Sequence, residues 1–409
     1  MSACVAVPGS KSATARSLVL AALADGPSRL DGPLAARDTA LMAAALRRLG
    51  VQVDDTDPAC WEVAPPQRLR SGGLVDCGLA GTVLRFVPPL AALAEGTTLF
   101  TGDPAAAARP IGPLLAGLRQ IGVAVAGQNL PFAVTGPPAA SRKQPEVVID
   151  ASGSSQFISG LLLAAARFPA GLRLRHEGPP LPSLPHIDMT IQALADRGVV
   201  VELLSPAAWR VEAGPVRACR EAIEPDLTTA AVFLAAALAA GGTVTVPAWP
   251  DRPSQPGRAA PGLLTCFGGS WRQDADGLTV TGDGNLRGAD LDLRQTSELT
   301  PVAAALAALA DSPSVIRGVA HIRGHETDRL AALAREINSL GGRCAETADG
   351  LAIEPARLHG GLWRTYGDHR LAHAGALIGL RVPGVELDDV SVVSKTMPQF
   401  AAAWRELLR

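Results

Sequence analysis

Segments rich in alanine and leucine, each opening on a small or polar residue, recur along the chain roughly every 70 residues. Their apolar residues cover nearly the whole circumference of a helix, which predicts helices that are enclosed on every side. This first series therefore predicts six buried helices. They begin at Ser12, Ala80, Ser155, Leu227, Glu298 and His369.

A second helical series alternates with the first and carries arginines and acids on one face, which predicts partly exposed helices. Four of its six members end in a glycine followed by alternating Val-x-Val or a similar pattern, as expected where a helix runs into a strand. Short β-rich segments such as 242–246 lie between the helices. The members of the second series begin near Asp38, Pro110, His186, Arg258, Glu326 and Thr396.

Together the two series predict six copies of an α/β unit. A single pair of helices on a small sheet buries little apolar surface, so the copies must pack against one another. A chain of 409 residues is also long enough for two or more domains. The pattern favours an α/β fold with two domains, three units in each, and the buried helices inside.

Composition narrows the classes of function. The chain is 47% hydrophobic and 19% charged, which is typical of a globular protein, and its net charge of −2 gives no basic field for nucleic acid. The six cysteines are scattered without metal-ligand spacing, which favours a reducing compartment and no structural zinc. The N-terminus lacks a signal-peptide pattern, and the apolar run 228–246 is broken by glycines, which favours a buried helix over a membrane span. We therefore expect a soluble, cytoplasmic protein.

Lysine is scarce, since only three of the 37 cationic side chains are lysine. Lys11 and Lys395 lie in Gly/Ser/Thr-rich motifs that open predicted helices, whereas Lys143 lies in a loop and is interpreted as a surface residue. An ammonium is a compact point charge whose pKa shifts on burial, a property that guanidinium lacks. Lys11 and Lys395 are therefore the first candidates for chemistry.

Other polar residues also collect at predicted helix starts, where unpaired N–H groups and the helix dipole suit phosphate and carboxylate. Ordinary capping explains serine, threonine and acids at such positions, but it does not explain cations, which the dipole disfavours. We therefore predict an anion-binding cleft. The cations in question are Arg16, Arg85, Arg109, Arg329, Arg370 and Lys395.

Metal and nucleotide motifs are incomplete. The segment 9–12 lacks the spacing of a P-loop, and the HExxH zinc motif would need a histidine where Arg329 stands. His321 and His325 have helical i,i+4 spacing, but no third ligand follows them. No metal site is therefore predicted.

Nine motifs in order along the chain resemble the 5-enolpyruvylshikimate-3-phosphate synthase family, and the resemblance runs from about residue 5 to 405. It implies an inside-out α/β barrel of two domains, each with three βαβαββ repeats. The domains would be 11–224, mainly for shikimate-3-phosphate, and 1–10 plus 225–409, mainly for phosphoenolpyruvate and the catalytic carboxylate. The motifs are PGSKSATAR (8–16), AGTVLRF (80–86), RPIGPL (109–114), SSQF (154–157), SLPHI (183–187), ELTP (298–301), HETDR (325–329), DHR (368–370) and KTMP (395–398).

The activity implied by the resemblance is transfer of the enolpyruvyl group of phosphoenolpyruvate to the 5-hydroxyl of shikimate-3-phosphate, with release of phosphate. This is a step of the shikimate pathway to chorismate and the aromatic amino acids, and the family is the target of glyphosate. Both substrates are small anions, and the resemblance implies no metal and no organic cofactor. A monomer without nucleic-acid or membrane partners is expected.

The resemblance also implies a set of site residues. Glu298 would be the base for the attacking hydroxyl, and Glu326 and Lys11 are both retained as groups that could protonate the methylene carbon. The implied shikimate-3-phosphate contacts are Lys11, Ser12, Arg16, Ser154, Ser155, Gln156, Ser183, Glu298 and His325. The implied phosphoenolpyruvate contacts are Lys11, Gly81, Arg109, Gln156, Arg329, Arg370 and Lys395.

The chain departs from the common family pattern at a few positions. Glu298 stands where aspartate is usual and keeps the carboxylate with a longer reach. His325 replaces a lysine and weakens one positive charge, so shikimate-3-phosphate affinity could depend on pH. The remaining departures, which also match an actinobacterial-looking subgroup, are Ala15, Leu79 and His186.

Two other functions are consistent with part of the pattern. UDP-N-acetylglucosamine enolpyruvyl transferases share the fold and the donor, but they carry a reactive cysteine in a loop that here, at 101–108, has none. A non-catalytic paralogue would be expected to have lost some of the charged site residues. The five charged residues that distinguish an enzyme from such a paralogue are all present, namely Lys11, Arg109, Glu298, Arg370 and Lys395.

Overall fold

The computed structural model describes residues 1–139 and 143–408. The chain forms two compact units, each with its own hydrophobic core. We call Gly9–Ile223 the inserted unit, and Met1–Pro8 together with Glu224–Arg409 the terminal unit. No helix of the described residues combines the length and apolar character needed to cross a membrane.

Strand β1 (Ser2–Cys4) opens the chain and belongs to the terminal unit. The inserted unit follows. Its helices are α1 (Lys11–Ala22), α2 (Arg37–Arg48), α3 (Gly81–Ala91), α4 (Pro104–Ala107), α5 (Gly112–Gln120), α6 (Gln156–Ala165) and α7 (Leu184–Asp196). Its strands are β2 (Ser28–Asp31), β3 (Gln52–Asp57), β4 (Cys60–Ala64), β5 (Leu74–Asp76), β6 (Gly96–Thr101), β7 (Ala124–Ala126), β8 (Phe132–Gly136), β9 (Glu146–Ile149), β10 (Leu172–His176), β11 (Val201–Ser205), β12 (Ala208–Val211) and β13 (Arg220–Ala222).

The terminal unit resumes after β13 and adds four 3₁₀ turns to its helices and strands. Its helices are α8 (Leu227–Ala240), α9 (Ala260–Cys266), α10 (Thr300–Ala308), α11 (Arg329–Ser339), α12 (His369–Gly379) and α13 (Phe400–Leu407). Its strands are β14 (Gly242–Val246), β15 (Ser270–Asp274), β16 (Gly277–Gly282), β17 (Asp290–Asp292), β18 (Ser314–Arg317), β19 (Arg343–Glu346), β20 (Leu351–Glu354), β21 (Gly361–Trp363) and β22 (Val385–Leu387). The 3₁₀ turns are Pro256–Ala259, Ser297–Leu299, Ala320–Gly324 and Ser391–Lys395.

One sheet arrangement recurs through both units. The inserted unit has the strand orders β13-β2-β4-β3, β5-β6-β8-β7 and β9-β10-β12-β11, and the terminal unit has β1-β14-β16-β15 and β17-β18-β20-β19. In each of these sheets the first two strands are parallel and the other neighbours are antiparallel. A further parallel pair, β21-β22, has α12 between its strands. The predicted mixed α/β class is confirmed. No sheet of the described residues closes into a barrel, and the inside-out barrel of six repeats stays a prediction.

The helices of the predicted first series are the most deeply buried. Every residue of α3 and α10 is buried, and α8 is buried apart from Thr228 and Ala240. Asp226 caps α8 by accepting hydrogen bonds from the backbone N–H groups of Thr228 and Thr229. Because these helices are covered on all sides, alanine and leucine suit nearly every position.

The predicted glycine endings of the second series are also present. Gly50 follows α2 with φ 87°, and Gly198 follows α7 with φ 78°. Both glycines adopt the left-handed conformation that ends a helix, and each donates its backbone N–H to a carbonyl of the last turn. The chain then enters β3 and β11, as the alternating valines predicted.

The predicted helix starts differ from the observed ones at three functional motifs. Glu298 and Lys395 lie in 3₁₀ turns, and Glu326 lies three residues before α11. Lys395 in particular precedes α13 by five residues, so the prediction that it lies within the first turn of a helix is wrong. Prolines explain the delay in part, because Pro301 and Pro398 suit the start of a helix better than its interior.

Candidate active site

In the inserted unit, Lys11 is the first residue of α1, whose preceding residue Ser10 caps the helix through Ala13 N. The Lys11 Nζ atom lies 3.4 Å from Asp38 Oδ2, and the two side chains are 16% and 4% exposed. Asp38 lies in the first turn of α2. The candidate lysine is thus mostly buried beside a carboxylate from the next helix along the chain.

Arg16 lies on the same helix and is 2% exposed. It donates from Nε to Thr190 Oγ1 (2.8 Å), from Nη1 to the Ser12 carbonyl (3.0 Å) and from Nη2 to the His186 carbonyl (3.0 Å). Its guanidinium also lies over the Phe86 ring at 5.2 Å. Arg16 therefore joins the starts of α1 and α7, and its predicted contact with shikimate-3-phosphate stays a prediction.

Gly81 begins α3 directly beneath two guanidinium groups. A Cβ at Gly81 would lie 2.8 Å from Arg109 Nη2 and 2.9 Å from Arg85 Nη1. The two arginines are held by carbonyls, with Arg109 Nη1 donating to Leu79 (3.0 Å) and Arg85 Nη2 donating to Pro110 (2.9 Å). Two cations at the positive end of a helix dipole repel each other and the dipole, so a bound anion would stabilise this arrangement.

The remaining serines and the glutamine lie at the starts of α6 and α7. Gln156 is the first residue of α6 and donates its backbone N–H to Ser154 Oγ (3.3 Å). Ser155 is buried at the N-cap of α6. Ser183, at the N-cap of α7, is buried in the left-handed conformation with φ 51°, which is uncommon for a residue other than glycine.

The first turns of four helices in the inserted unit lie close together. Arg16 links α1 to α7, and Ser159 on α6 donates to the carbonyl of His186 on α7 (3.4 Å). A Cβ at Gly160 on α6 would lie 2.3 Å from the carbonyl oxygen of Arg85 on α3. The predicted site residues of this unit are therefore brought together by helix packing.

In the terminal unit, Arg329 is 2% exposed and hydrogen-bonded to three side chains. It donates to both oxygens of Asp368 (Nε–Oδ2 2.7 Å, Nη2–Oδ1 3.2 Å), to Glu326 Oε2 (2.8 Å) and to His325 Nδ1 (2.9 Å). Burial alone would lower the pKa of Arg329, but the charges of Asp368 and Glu326 offset it and raise the pKa above its ordinary value. Because a guanidinium only donates, His325 Nδ1 is an acceptor here and the ring proton belongs on Nε2.

Lys395 completes this cluster through Glu326. Its Nζ atom donates to Glu326 Oε1 at 2.7 Å, and the two side chains are 12% and 8% exposed. Glu326 is thus an acceptor for both Lys395 and Arg329. To protonate a carbon atom, as the resemblance allows, this carboxylate would first have to take up a proton.

Glu298 and Arg370 lie beside one another in the same unit. Arg370 Nη1 donates to the Glu298 carbonyl (3.3 Å), and the Arg370 backbone N–H donates to Asp368 Oδ1 (2.9 Å). Burial, and then the charge of Arg329, lowers the pKa of Arg370. A half-buried cation whose pKa is lowered lacks full compensation, so a bound anion would stabilise it.

Histidines adjoin these groups. The His321 Nε2 atom lies 2.9 Å from Ser297 Oγ, and its ring is 6.0 Å from that of His325 in an edge-to-face arrangement. Burial lowers the pKa of His321. Within the described residues, no group of three or more His, Cys, Asp or Glu side chains is arranged to hold a metal ion.

Sequence reasoning missed the partners of the predicted residues more than the residues themselves. Asp38 as the partner of Lys11, and Thr190 as the partner of Arg16, carry no local signal because each contact joins separate helices. The DHR motif did indicate Asp368, but not its bidentate contact with Arg329. Such pairings depend on the tertiary fold.

The fold agrees with structures of known proteins. It is similar to a 2.37 Å structure of EPSP synthase from Acinetobacter baumannii, with a TM-score of 0.80 and 22% identity over 99% of this chain and 95% of that one. A second structure of EPSP synthase from Acinetobacter baumannii gives a TM-score of 0.79 and 21% identity, covering 99% of this chain and 96% of the other. The fold and the clustered cations thus define a mixed α/β protein with an EPSP synthase-like architecture.

Sequence comparison gives the family. Residues 1–404 match the family model for EPSP synthase (3-phosphoshikimate 1-carboxyvinyltransferase). A 3-phosphoshikimate 1-carboxyvinyltransferase from Kocuria rhizophila is 53% identical over 420 aligned residues, covering 100% of this chain and 94% of the relative. The chain belongs to the EPSP synthase (3-phosphoshikimate 1-carboxyvinyltransferase) family. The predicted family, and with it the predicted class of enzyme, is confirmed.

Proposed function

We propose that this protein transfers the enolpyruvyl group of phosphoenolpyruvate to the 5-hydroxyl of shikimate-3-phosphate and releases inorganic phosphate, a step in aromatic amino acid biosynthesis. The observation that carries the proposal is the family match over residues 1–404. The anion-binding character of both residue clusters supports it, because each substrate carries a phosphate and a carboxylate.

Phosphoenolpyruvate is assigned to the clustered cations of the two units. In the terminal unit these are Arg329, Arg370 and Lys395, of which Arg370 has its pKa lowered by burial. In the inserted unit the paired guanidinium groups above Gly81 favour an anion for the same electrostatic reason. The full assignment is Lys11, Gly81, Arg109, Gln156, Arg329, Arg370 and Lys395.

Shikimate-3-phosphate is assigned mainly to the inserted unit, where hydroxyl, amide and ammonium groups collect at the starts of α1, α6 and α7. Such donors suit a substrate with a phosphate and several hydroxyls. Arg16 stabilises this arrangement of helix starts, because it donates hydrogen bonds to the carbonyls of Ser12 and His186. The full assignment is Lys11, Ser12, Arg16, Ser154, Ser155, Gln156 and Ser183, with Glu298 and His325 from the terminal unit.

The reaction needs one base and one acid. Glu298 takes the proton of the 5-hydroxyl, whose oxygen attacks C2 of phosphoenolpyruvate while a proton is added to the methylene carbon. Lys11 and Glu326 are the two alternatives for the acid that supplies this proton. The conjugate base of that acid then takes a proton from the new methyl group, the C2–O bond to phosphate breaks, and the enol double bond is restored as phosphate leaves.

Finer architectural features belong to the same proposal. We infer an inside-out α/β barrel of six βαβαββ repeats, with domains 11–224 and 1–10 plus 225–409. The recurrence of one strand order in the described sheets supports it. A cytoplasmic, monomeric enzyme that does not bind nucleic acid is also proposed, and the thiols of all six cysteines, which form no disulfide, suit a reducing compartment.

The test is an assay of inorganic phosphate released from phosphoenolpyruvate. We expect release only when shikimate-3-phosphate is also present, and no release when UDP-N-acetylglucosamine replaces it. Release with the UDP-sugar instead would contradict the proposed acceptor, and no release with either would favour a non-catalytic paralogue.

Substitution of Glu298 by glutamine tests the proposed base. Glu298→Gln keeps the shape but cannot accept the proton, so turnover should fall on the order of a hundredfold or more. Shikimate-3-phosphate binding, followed by calorimetry, should stay within a few-fold. Wild-type turnover in the purified variant would move the base to another residue.

A further inference from the structure

Glu336 is a buried carboxylate that the proposed reaction does not use. It is 1% exposed and lies on α11 seven residues after Arg329, which places the two side chains on the same face, two turns apart. A glutamate is almost never fully buried unless its oxygens are paired. Its partners therefore indicate what it does in this fold.

Both oxygens of Glu336 bind the loop formed by residues 364–368. Oε1 accepts a hydrogen bond from the Tyr366 hydroxyl (2.6 Å), and Oε2 accepts one from the Arg364 backbone N–H (2.9 Å). At the other end of this loop, Asp368 is bound by Arg329. Helix α11 thus holds the 364–368 loop at both ends through two buried side chains.

The loop has a conformation that requires such support. Tyr366 adopts the left-handed conformation with φ 54°, which is unfavourable for a bulky residue and persists only where surrounding contacts hold it. Thr365 adds a second attachment, because its backbone N–H and Oγ1 both donate to Asp388 Oδ1 (2.9 and 2.8 Å). The reversal of the chain at Tyr366 and Gly367 brings Asp368 to the N-cap of α12, where it accepts from the Arg370 backbone N–H.

We propose that Glu336 is a positioning residue for the active site: by holding Tyr366 and Arg364 it fixes the 364–368 loop, and so sets Asp368 and Arg370 for phosphoenolpyruvate. The inference rests on the proposed assignment of Arg370 to that substrate. Glu336 is not a catalytic residue, since it acts only through the loop.

Three variants separate positioning from general stability. Glu336→Ala removes both hydrogen bonds, and kcat/KM for phosphoenolpyruvate should fall on the order of ten- to a hundredfold, as for a misplacement approaching 1 Å. In Glu336→Gln the amide oxygen can still accept from the Arg364 N–H, and the amide nitrogen can donate to the Tyr366 hydroxyl. Its kcat/KM for phosphoenolpyruvate should therefore stay within about threefold of the wild type. Asn338→Ala, on the same helix, loses two hydrogen bonds to the Cys344 backbone and should lower the melting temperature without changing KM.

A double-mutant cycle supplies a readout that a purely structural residue would not move. Tyr366→Phe should lower kcat/KM for phosphoenolpyruvate on its own but add little to Glu336→Ala, because the hydrogen bond between the two residues is already lost in Glu336→Ala. The KM for shikimate-3-phosphate should stay within about threefold in every variant, because the residues assigned to that substrate lie outside the 364–368 loop. If Glu336→Ala does not fold, kcat/KM for phosphoenolpyruvate is compared between Tyr366→Phe and Glu336→Gln. The inference then predicts a decrease in the first variant and near wild-type kinetics in the second.

The outcomes distinguish failure of the positioning role of Glu336 from failure of the assignment of Arg370 to phosphoenolpyruvate. Full additivity in the cycle, or the same kinetics in Glu336→Ala as in Asn338→Ala, would overturn the inference. Arg370→Gln is measured alongside them. A large loss in Arg370→Gln with none in Glu336→Ala overturns the positioning role alone, whereas no loss in Arg370→Gln overturns the phosphoenolpyruvate assignment on which it rests.

Discussion

Replacement of Asp368 by asparagine tests the electrostatics of the terminal-unit cluster through stability, independently of activity. Asp368→Asn keeps the size of the side chain but removes its charge, and its amide group turns a donor toward one of the two nitrogens of Arg329. Asp368 is 0% exposed and Arg329 is 2% exposed, so water cannot replace the lost carboxylate. The buried guanidinium then keeps its hydrogen bond to the carboxylate of Glu326.

The size of the effect follows from burial. Removal of one partner from a buried ion pair costs about 3–5 kcal/mol, because the other charge is left uncompensated. The contact between Arg329 and Glu326 remains, so the lower end, about 3 kcal/mol, is expected. For a unit of this size each kcal/mol lowers the melting temperature by about 2–4 °C, which gives a decrease of roughly 6–12 °C.

Differential scanning calorimetry measures this decrease, and an exposed ion pair of the same unit provides the control. Arg317 Nη2 and Asp290 Oδ1 are 2.7 Å apart, but their side chains are 48% and 62% exposed. Asp290→Asn should therefore change stability by less than about 1 kcal/mol. Equal melting temperatures for the two variants would refute the reasoning that burial makes the Arg329–Asp368 pair energetically important.

Three further predictions concern other parts of the molecule. Lys11→Met should lower turnover in the phosphate-release assay on the order of a hundredfold, whereas the exposed Lys143→Met should not, and equal effects would contradict the argument from lysine scarcity. Gly81→Ala should displace the Arg109 guanidinium and raise the inhibition constant of glyphosate more than the KM for phosphoenolpyruvate, and equal increases would contradict a selective loss of space. Burial, and then nearby arginine charges, lowers the pKa of His373 to about 3, so below its ordinary value near 6.5 the unfolded chain binds one more proton than the folded one. The stability present above pH 6.5 should fall by about 1.4 kcal/mol per pH unit toward pH 3, and a denaturation series in which His373→Leu keeps the full slope would exclude this histidine as the cause.

Sequence periodicity predicted the helices well because their burial is nearly uniform. The segments beginning at Ala80 and Leu227 are apolar on all sides, and α3 and α8 start within one residue of those positions. Periodicity was weakest where short 3₁₀ turns precede a helix, as at Glu298 and Lys395. Such turns have too few residues for a repeating pattern, and the prolines that follow suit several local conformations.

The chemistry of the site was predictable only as a set of residues. Motifs indicated Arg329 and Glu326, but the bidentate contact of Arg329 with Asp368, the N-cap of α12, joins residues far apart in the chain and depends on tertiary packing. Glu336 was missed for the same reason. Its position within an ordinary amphipathic helix gives no signal until the 364–368 loop lies against it.

The carboxylates beside the two site lysines have a consequence for ionic strength. Lys11 already lies near Asp38, and Lys395 already binds Glu326, so an anion that binds these lysines as proposed would exchange one ion pair for another. Dissolved salt screens the pair that is lost as well as the pair that forms, so the two effects partly cancel. Affinity should therefore change less with salt than the charge of the substrates alone suggests.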